Sequence, residues 1–387
     1  MRRADIEAAK EKFGKLIEDE AARIERMNYA GTAPDFDKLE TIIIGVIPGD
    51  GIGPIIMEQT LRVLNALIGN HISKGLVELR MIKGLSIDER AAKNQCMPPE
   101  SLTALKECHV ILKGPLTTPR PGDPWPAMPS TVAQMRSDLE LSVALRPVSN
   151  PSKGINWALF RENIEGEYVW GSKGIQVDED LAVDFRVQTR LQSRLVARTA
   201  FDYARKNGRK HVTAVSKVNI VKLTDGNFLA ACREVAKDYP QISYDEQLVD
   251  ITASKLNDPE FTENLEVLIL PNLYGDIISD IAAELSGGVG TAGSAGIGTR
   301  YALFEAIHGS APFLMQNNRG HYANPSSLIK AMGMLLAHIG CVEESVRLEA
   351  AMDICMYTEK KLVVTSFPED ASTREYTDYI LETLGAH

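Results

Sequence analysis

The chain has 387 residues, 44% of them hydrophobic and 24% charged, with a formal net charge of −10 at pH 7. This is a globular composition at a length for about two domains, and its acidity argues against a broad nucleic-acid surface while allowing a local arginine cluster to bind anions. No apolar run is long enough for a bilayer; the five scattered cysteines, an odd number with no CxxC pair, argue against a disulfide framework and point to a reducing cytoplasm.

Residues 5–28 carry Ile6, Phe13, Leu16, Ile17, Ile24 and Met27 on one stripe, which predicts an amphipathic helix. It lacks an apolar signal-peptide core and is too acidic for a transit peptide, so its expected role is packing on the body or on a partner subunit. GTAPDFDK (31–38) reads as a linker. TIIIGVIPGDGIGP (41–54) is a buried strand breaking into a glycine turn. Gly49, Gly51 and Gly53 do not make a dinucleotide fingerprint. The third glycine comes one residue early, a proline follows, and Glu78 lies inside the next strand-like run rather than at its end.

Strand and helix alternate through HVILKGPL (109–116). The proline-rich loop TTPRPGDPWPAMPS follows a strand end, where α/β proteins build their sites. Arg136 and Arg146 bracket a helix and a short strand, and Arg161 ends the next strand, with Tyr168 shortly after. One arginine is ordinary surface; three at element ends beside a proline loop suit carboxylate binding. DLAVDFRVQTR (180–190) alternates like an antiparallel strand, and the helix after it ends at Gly208. Lys217 stands near the end of a strand, among apolar residues and beside Asn219. It is a surface lysine or, if partly buried, a base. Asp250 follows the strand-like ISYDEQLVD.

In PNLYGDIISDIAAELSGGVG (271–290), Asp276 and Asp280 fall four apart in a helical pattern, so both carboxylates share one face. They suit Mg²⁺ or Mn²⁺, which keep some waters and complete their shell with substrate oxygens. The same pair also fits an acidic helix start, with Asp276 in the first turn. A glycine-rich loop follows, able to bring backbone amides close to an anionic or flat ligand, then a strand and His308. The last third reads as helices, with KLVVTSF (361–367) as a short strand.

IPGDGIGP, LKGPLTTP, the Arg136–Arg146–Arg161 series, RENIEGEY, SKVNIVKLTDG, NLYGDIISD, FEAIHGSAP and ANP occur in one order from about Thr41 onward. Together they closely resemble the β-decarboxylating dehydrogenases that act on isocitrate, 3-isopropylmalate, homoisocitrate and D-malate or tartrate. The resemblance implies an α/β, non-Rossmann fold of the isocitrate/isopropylmalate dehydrogenase type, with two domains per subunit in an interlocked dimer. Residues 41–141 and 287–387 would form the large domain with the nucleotide site. Residues 142–286 would form the small one, with a dimer arm at about 166–190. Residues 1–40, a helical extension and linker, are not covered.

The resemblance also implies roles. Ser130, Arg136, Arg146, Arg161 and Asn219 would bind the hydroxy acid. Asp276 and Asp280, with Asp250 from the partner subunit, would hold Mg²⁺ or Mn²⁺, which chelates the 2-hydroxyl and α-carboxylate as a Lewis acid. Lys217 from the partner would be the base, hydride would pass from C2 to the nicotinamide, and Tyr168 would protonate the enol carbon. Thr118, Glu305, His308, Gly309, Ala311 and Asn324 would bind the cofactor. Two positions depart from the family pattern. Val132 stands where isocitrate enzymes carry an asparagine after Ser130, with Pro129 where isopropylmalate enzymes carry a glutamate, and STVAQMR is similar to fungal homoisocitrate enzymes. Phe313 and Leu314 match neither the acidic NAD signature nor the lysine–tyrosine NADP signature. The resulting expectation is oxidative decarboxylation of isocitrate to 2-oxoglutarate with NAD, NADP remaining open. The other acids, or a non-catalytic regulatory subunit, are the alternatives.

Overall fold

The structure, a computed structural model, describes residues 3–27, 33–120, 122–170, 173–288 and 292–386. Its strands are β1 (Ile42–Ile47), β2 (Val77–Met81), β3 (Val110–Lys113), β4 (Val143–Asn150), β5 (Ile155–Glu162), β6 (Ile175–Gln176), β7 (Ala182–Val183), β8 (His211–Ser216), β9 (Ser243–Leu248), β10 (Val267–Leu270), β11 (Gly293–Ile297) and β12 (Ala302–Ala306). The helices up to the middle of the chain are α1 (Arg3–Arg26), α2 (Gly53–Ser73), α3 (Ile87–Lys93), α4 (Pro99–Lys106), α5 (Thr131–Asp138), α6 (Arg190–Lys206) and α7 (Thr224–Ala236). The rest are α8 (Val249–Lys255), α9 (Pro259–Thr262), α10 (Asn272–Ser286), α11 (Pro312–Gln316), α12 (Ser326–His338), α13 (Val342–Asp353) and α14 (Thr373–Ala386). Among the described residues no helix is long and apolar enough to cross a membrane.

Ten strands form one mixed sheet in the order β2-β1-β3-β12-β11-β4-β5-β10-β8-β9. The pairs on either flank are parallel, while β12–β11, β11–β4 and β4–β5 in the middle are antiparallel. Central strands such as VILK and VLIL are buried throughout, as a sheet covered on both faces requires. The two edge strands, VELRM and SYDEQL, carry the charges that discourage further pairing. Alternation sorts the core by face. Ala158, Phe160, Val267 and Ile269 join the cluster under α2, α6 and α12, while Trp157, Leu159, Leu268 and Leu270 meet α10 on the other side.

Three local readings change. Within 180–190 only Ala182–Val183 is strand, because its partner β6 is two residues long and Thr189 is taken up capping α6. Residues 361–367 form no strand: α13 runs into a π-helical turn, Ile354–Thr358, and Lys360 and Ser366 have φ of 50° and 68°, which extended backbone does not allow. The glycine-rich run yields β11, whose backbone is paired by β4 and β12 on either side. Residue 28 of the expected first helix, 31–32 of the linker, 171–172 of the arm and 289–291 of the glycine-rich loop lie outside the described residues.

Candidate active site

The β4–β5 register sets Arg146 opposite Leu159 and Ala144 opposite Arg161, so both arginines project to one face. Helix α10 lies over that face. Arg146 Nη1 donates to Ser279 Oγ (2.6 Å) and Asp280 Oδ1 (3.0 Å), and its Nη2 to Asp276 Oδ1 (3.1 Å). Arg161 pairs with Asp276 as well, and donates through Nε and Nη2 to Asn272 Oδ1 (2.9 and 2.7 Å). Tyr168 Oη donates to Asp276 Oδ2 at 2.7 Å, with the Arg161 guanidinium 5.1 Å from its ring centre. Arg136, in the last turn of α5, reaches Glu305 Oε1 (3.4 Å), whose other oxygen pairs with Lys113 (2.7 Å). Asp276 sits in the second turn of α10, and no acidic residue occupies its first turn, so the pair is not a helix-start feature.

Burial and the neighbouring Arg136 and Arg146 lower the Arg161 pKa to about 10. Burial opposes ionisation of Asp276, but Arg161 and Arg146 outweigh it and hold the carboxyl below its usual range. Asp280 is pushed up by burial, with Asp276 adding to the effect against Arg146. Burial also raises the Tyr168 phenol, which therefore keeps its proton across the neutral range. Glu305 resists its own burial because Lys113 and Arg136 hold it at about 2. Among the described residues nothing accepts from the buried Arg146 Nε, a donor left over for an anion.

Ser130 caps α5, accepting from Ala133 N at 3.2 Å, and Val132 follows in the first turn, half-buried. Lys217, just past β8, pairs with Asp250 Oδ1 at 2.5 Å, and Asn219 is exposed in the turn beyond it. No group of three or more His, Cys, Asp or Glu residues is placed to hold a metal among the described residues, so Asp250 does not join Asp276 and Asp280 within one chain. Two carboxylates on one helix face still fit Mg²⁺ or Mn²⁺, whose remaining positions go to water and substrate.

A cleft of about 760 Å³ opens at the carboxyl ends of β3 and β12. Its walls bring together Thr118, His308, Gly309, Ala311 and Asn324. Glu305 is not on its wall but one stretch back, in β12, tied to Arg136 and so to the arginine pocket. Burial lowers the His308 pKa, which keeps the imidazole neutral. The glycine turn after β1 is filled by the protein itself. Asp50 N donates to Pro115 O (2.7 Å), Ile52 N donates to Ser310 O (3.1 Å), and a Cβ on Gly51, at φ 57°, would collide with Ser310 O. Another cavity, about 500 Å³ around His211 and Asp245, lies at the β8–β9 edge and contains none of the expected site residues.

The family model for isocitrate/isopropylmalate dehydrogenase matches residues 43–380. The chain belongs to the isocitrate/isopropylmalate dehydrogenase family. Homoisocitrate dehydrogenase of Methanocaldococcus jannaschii is 34% identical over 88% of this chain and 96% of that protein. A regulatory subunit of the mitochondrial NAD isocitrate dehydrogenase of Dictyostelium discoideum is 35% identical over 92% of this chain and 94% of that protein. The crystal structure of Methylococcus capsulatus isocitrate dehydrogenase superposes with a TM-score of 0.78 at 34% identity, covering 89% of this chain and 99% of that one. As a family member the chain is an NAD(P)-dependent β-decarboxylating dehydrogenase.

Several residues that shape this dehydrogenase site were not singled out by the sequence pattern. Asp50 is buried and accepts from Ile87 N (2.7 Å), Thr117 N (2.8 Å) and Arg90 Nη2 (3.0 Å), while Arg90 Nη1 donates to Thr131 beside Ser130 (2.6 Å). The turn by the cleft is thus bolted to the start of α5. Lys113 carried the one available signal, a charge closing the apolar strand VILK.

Two outcomes are expected from this geometry. A Cβ at Gly275 would stand 2.6 Å from Arg161 Cγ. Gly275→Ala should displace that guanidinium and lower kcat/KM about 100-fold, with Tm showing whether the fold is kept. Glu305→Gln should leave Lys113 buried without its ion-pair partner and cost about 3–5 kcal/mol at neutral pH. Because the folded-state pKa of Glu305 is depressed to about 2 from 4.5, its contribution is present above 4.5 and lost as pH falls toward 2. Urea midpoints for the two proteins should therefore converge in acid.

Proposed function

We propose that this chain catalyses metal-dependent oxidative decarboxylation of a 2-hydroxy-3-carboxy acid, isocitrate to 2-oxoglutarate first among them, with NAD as the acceptor. The observation that carries the reading is the convergence of Arg136, Arg146, Arg161, Asp276, Asp280 and Tyr168. Four cations, counting Lys113, here face three carboxylates in internal pairs. A polycarboxylate arriving with a divalent ion lets each side change partner: guanidiniums take substrate carboxylates and the aspartates turn to the ion. When bound, the metal would act as a Lewis acid on the 2-hydroxyl and α-carboxylate, and the nicotinamide would accept the hydride from C2. Arg136, Arg146 and Arg161 bind and orient the carboxylates. Lys217, released from Asp250 as that carboxylate turns to the ion and standing as the neutral amine, takes the hydroxyl proton. Tyr168 holds a proton at Oη and gives it to the carbon that has lost CO₂.

The shared site is part of the reading. Lys217 and Asp250 pair with each other on the elements that also expose Ile220 (70%), Leu223 (84%) and Ile251 (40%), a face suited to a second copy. Each site would then take Lys217 and Asp250 from its partner. The strand order supports the two-domain division: β1–β3 with β11 and β12 on one side, β4, β5 and β8–β10 on the other. NAD is preferred because the described lining of the cleft holds a single arginine, Arg120, beside Asp123, and no pair of cations for a 2′-phosphate. Five free cysteines, three of them buried, agree with a reducing compartment such as the cytoplasm.

The Dictyostelium relative favours one other reading, a metabolite-binding regulatory subunit. Such a subunit needs neither the Lys217–Asp250 pair nor the Tyr168–Asp276 bond, and both are present. Initial rates for isocitrate, homoisocitrate, isopropylmalate, malate and tartrate with Mn²⁺ and each dinucleotide separate the readings. Isocitrate with NAD should be fastest, and no turnover of any acid leaves the regulatory reading. Val132→Asn refines the result. A valine offers no hydrogen bond, and a buried polar group left unpaired costs about 1–3 kcal/mol. The substitution should therefore raise kcat/KM for isocitrate by about tenfold or more and lower it for an acid with an apolar or longer arm. Equal values for every acid would show that position 132 does not face the substrate.

A further inference from the structure

Helix α1 lies before the residues that the family model matches, 43–380, yet it is bonded to the segment between two site residues. Part of the attachment is packing. Phe13 stacks on Phe185 (4.9 Å between centroids), Leu16 is buried with Trp170 and Ile175, and Lys12 Nζ donates to Gly174 O at 2.7 Å. Arg23 makes a different contact. Its Nη2 donates to Glu165 Oε1 at 2.6 Å, while Glu20 of the same helix accepts from Nε at 3.0 Å. The ion pair joins residues 142 apart in sequence.

Glu165 is fully buried, lies between Arg161 and Tyr168, and neighbours a second fully buried carboxyl, Glu162. Glu162 spends its oxygens on the amides of Ile164 and Glu165. Glu165 accepts from Thr189 N (2.6 Å) and Oγ1 (2.9 Å), the cap of α6. Its backbone carbonyl accepts from Asn272 Nδ2 at 2.8 Å, and the Oδ1 of that same amide takes Arg161 Nε and Nη2. A bonded chain therefore runs Arg23, Glu165, Asn272, Arg161. Arg23 is the cation bonded to Glu165, and a buried carboxylate left without such a partner is costly.

We infer that Arg23 is a positioning residue: through Glu165 and Asn272 it sets the orientation of Arg161, so the N-terminal helix controls affinity for the substrate carboxylate. The inference rests on Arg161 being a carboxylate-binding residue. A helix that only fastened the arm would act through Phe13, Leu16 and Lys12 and would leave Arg161 alone.

The test uses the full-length protein with isocitrate, Mn²⁺ and NAD, and compares Arg23→Ala, Arg23→Lys, Lys12→Ala and Arg161→Lys. Arg23→Ala should raise KM about tenfold and alter kcat much less. Arg23→Lys should recover most of the loss, and Lys12→Ala, which cuts another tie of the same helix, should leave KM within about twofold. If Arg23→Ala does not fold, Arg23→Gln, which keeps a donor without the charge, should show the same KM rise. KM unchanged while Tm falls, or an equal rise in Lys12→Ala, overturns the inference. Arg161→Lys separates the two levels. If it raises KM and Arg23→Ala does not, only the inference fails; if it leaves KM unchanged, the role given to Arg161 fails and the inference with it.

Discussion

Tyr168→Phe and Lys217→Met should each lower kcat by about 10²–10⁴-fold, the range lost with a positioned general acid or base, and heterodimers of the two should regain activity. Tyr168 is anchored in its own chain's pocket by Asp276, at 2.7 Å. Lys217 is paired with Asp250, and within one chain no third carboxylate joins Asp276 and Asp280 among the described residues. A heterodimer of the two variants contains one site with both defects and one with neither, so its kcat should return to about half the wild-type value. Differently tagged chains, refolded together and purified through both tags, give the measurement. Confirmed heterodimers as inactive as the parent homodimers would place Lys217 and Tyr168 in the same chain's site.

Removal of the metal should have an effect of similar size. Asp276 and Asp280 are one turn apart on α10, partly exposed, and kept in line by Arg146. Chelation should stop turnover. Asp280→Asn should weaken Mn²⁺ binding by at least about tenfold, with less damage to the fold than a change at Asp276, which also holds Arg161 and Tyr168. Calorimetric titration of Mn²⁺ into each protein checks the affinity, and a thermal melt checks the fold. Full activity in excess chelator would show that turnover does not depend on a metal.

The parts of this site legible in the sequence are those governed by short periods. A four-residue spacing placed Asp276 and Asp280 on one face because a helix turns every 3.6 residues, and α10 confirms the face. The glycine turn does not match a Rossmann fingerprint in spacing, and in the fold its Asp50 and Ile52 amides go to Pro115 and Ser310. Long-range pairings left no such trace. Arg23 with Glu165 and Asp50 with Arg90 each join residues far apart in sequence, and a lone charge in a helix or turn does not announce its partner. The antiparallel reading of 180–190 holds only at Ala182–Val183 and at the Val187 bridge, and 361–367 forms no strand, because local pattern alone does not supply a neighbour to pair with or exclude a positive φ.

The pocket should exchange its internal arginine–aspartate pairs for a carboxylate substrate and a divalent ion taken up together. Calorimetric titration of isocitrate, with and without saturating Mn²⁺ and without dinucleotide, measures that exchange. Each ligand frees the groups that the other needs, so the coupling is reciprocal. Mn²⁺ should tighten isocitrate binding by about tenfold or more, and Arg146→Ala, which removes the guanidinium shared by Asp276 and Asp280, should reduce that coupling. Isocitrate affinity that is identical with and without Mn²⁺ would show that the internal pairs are not exchanged.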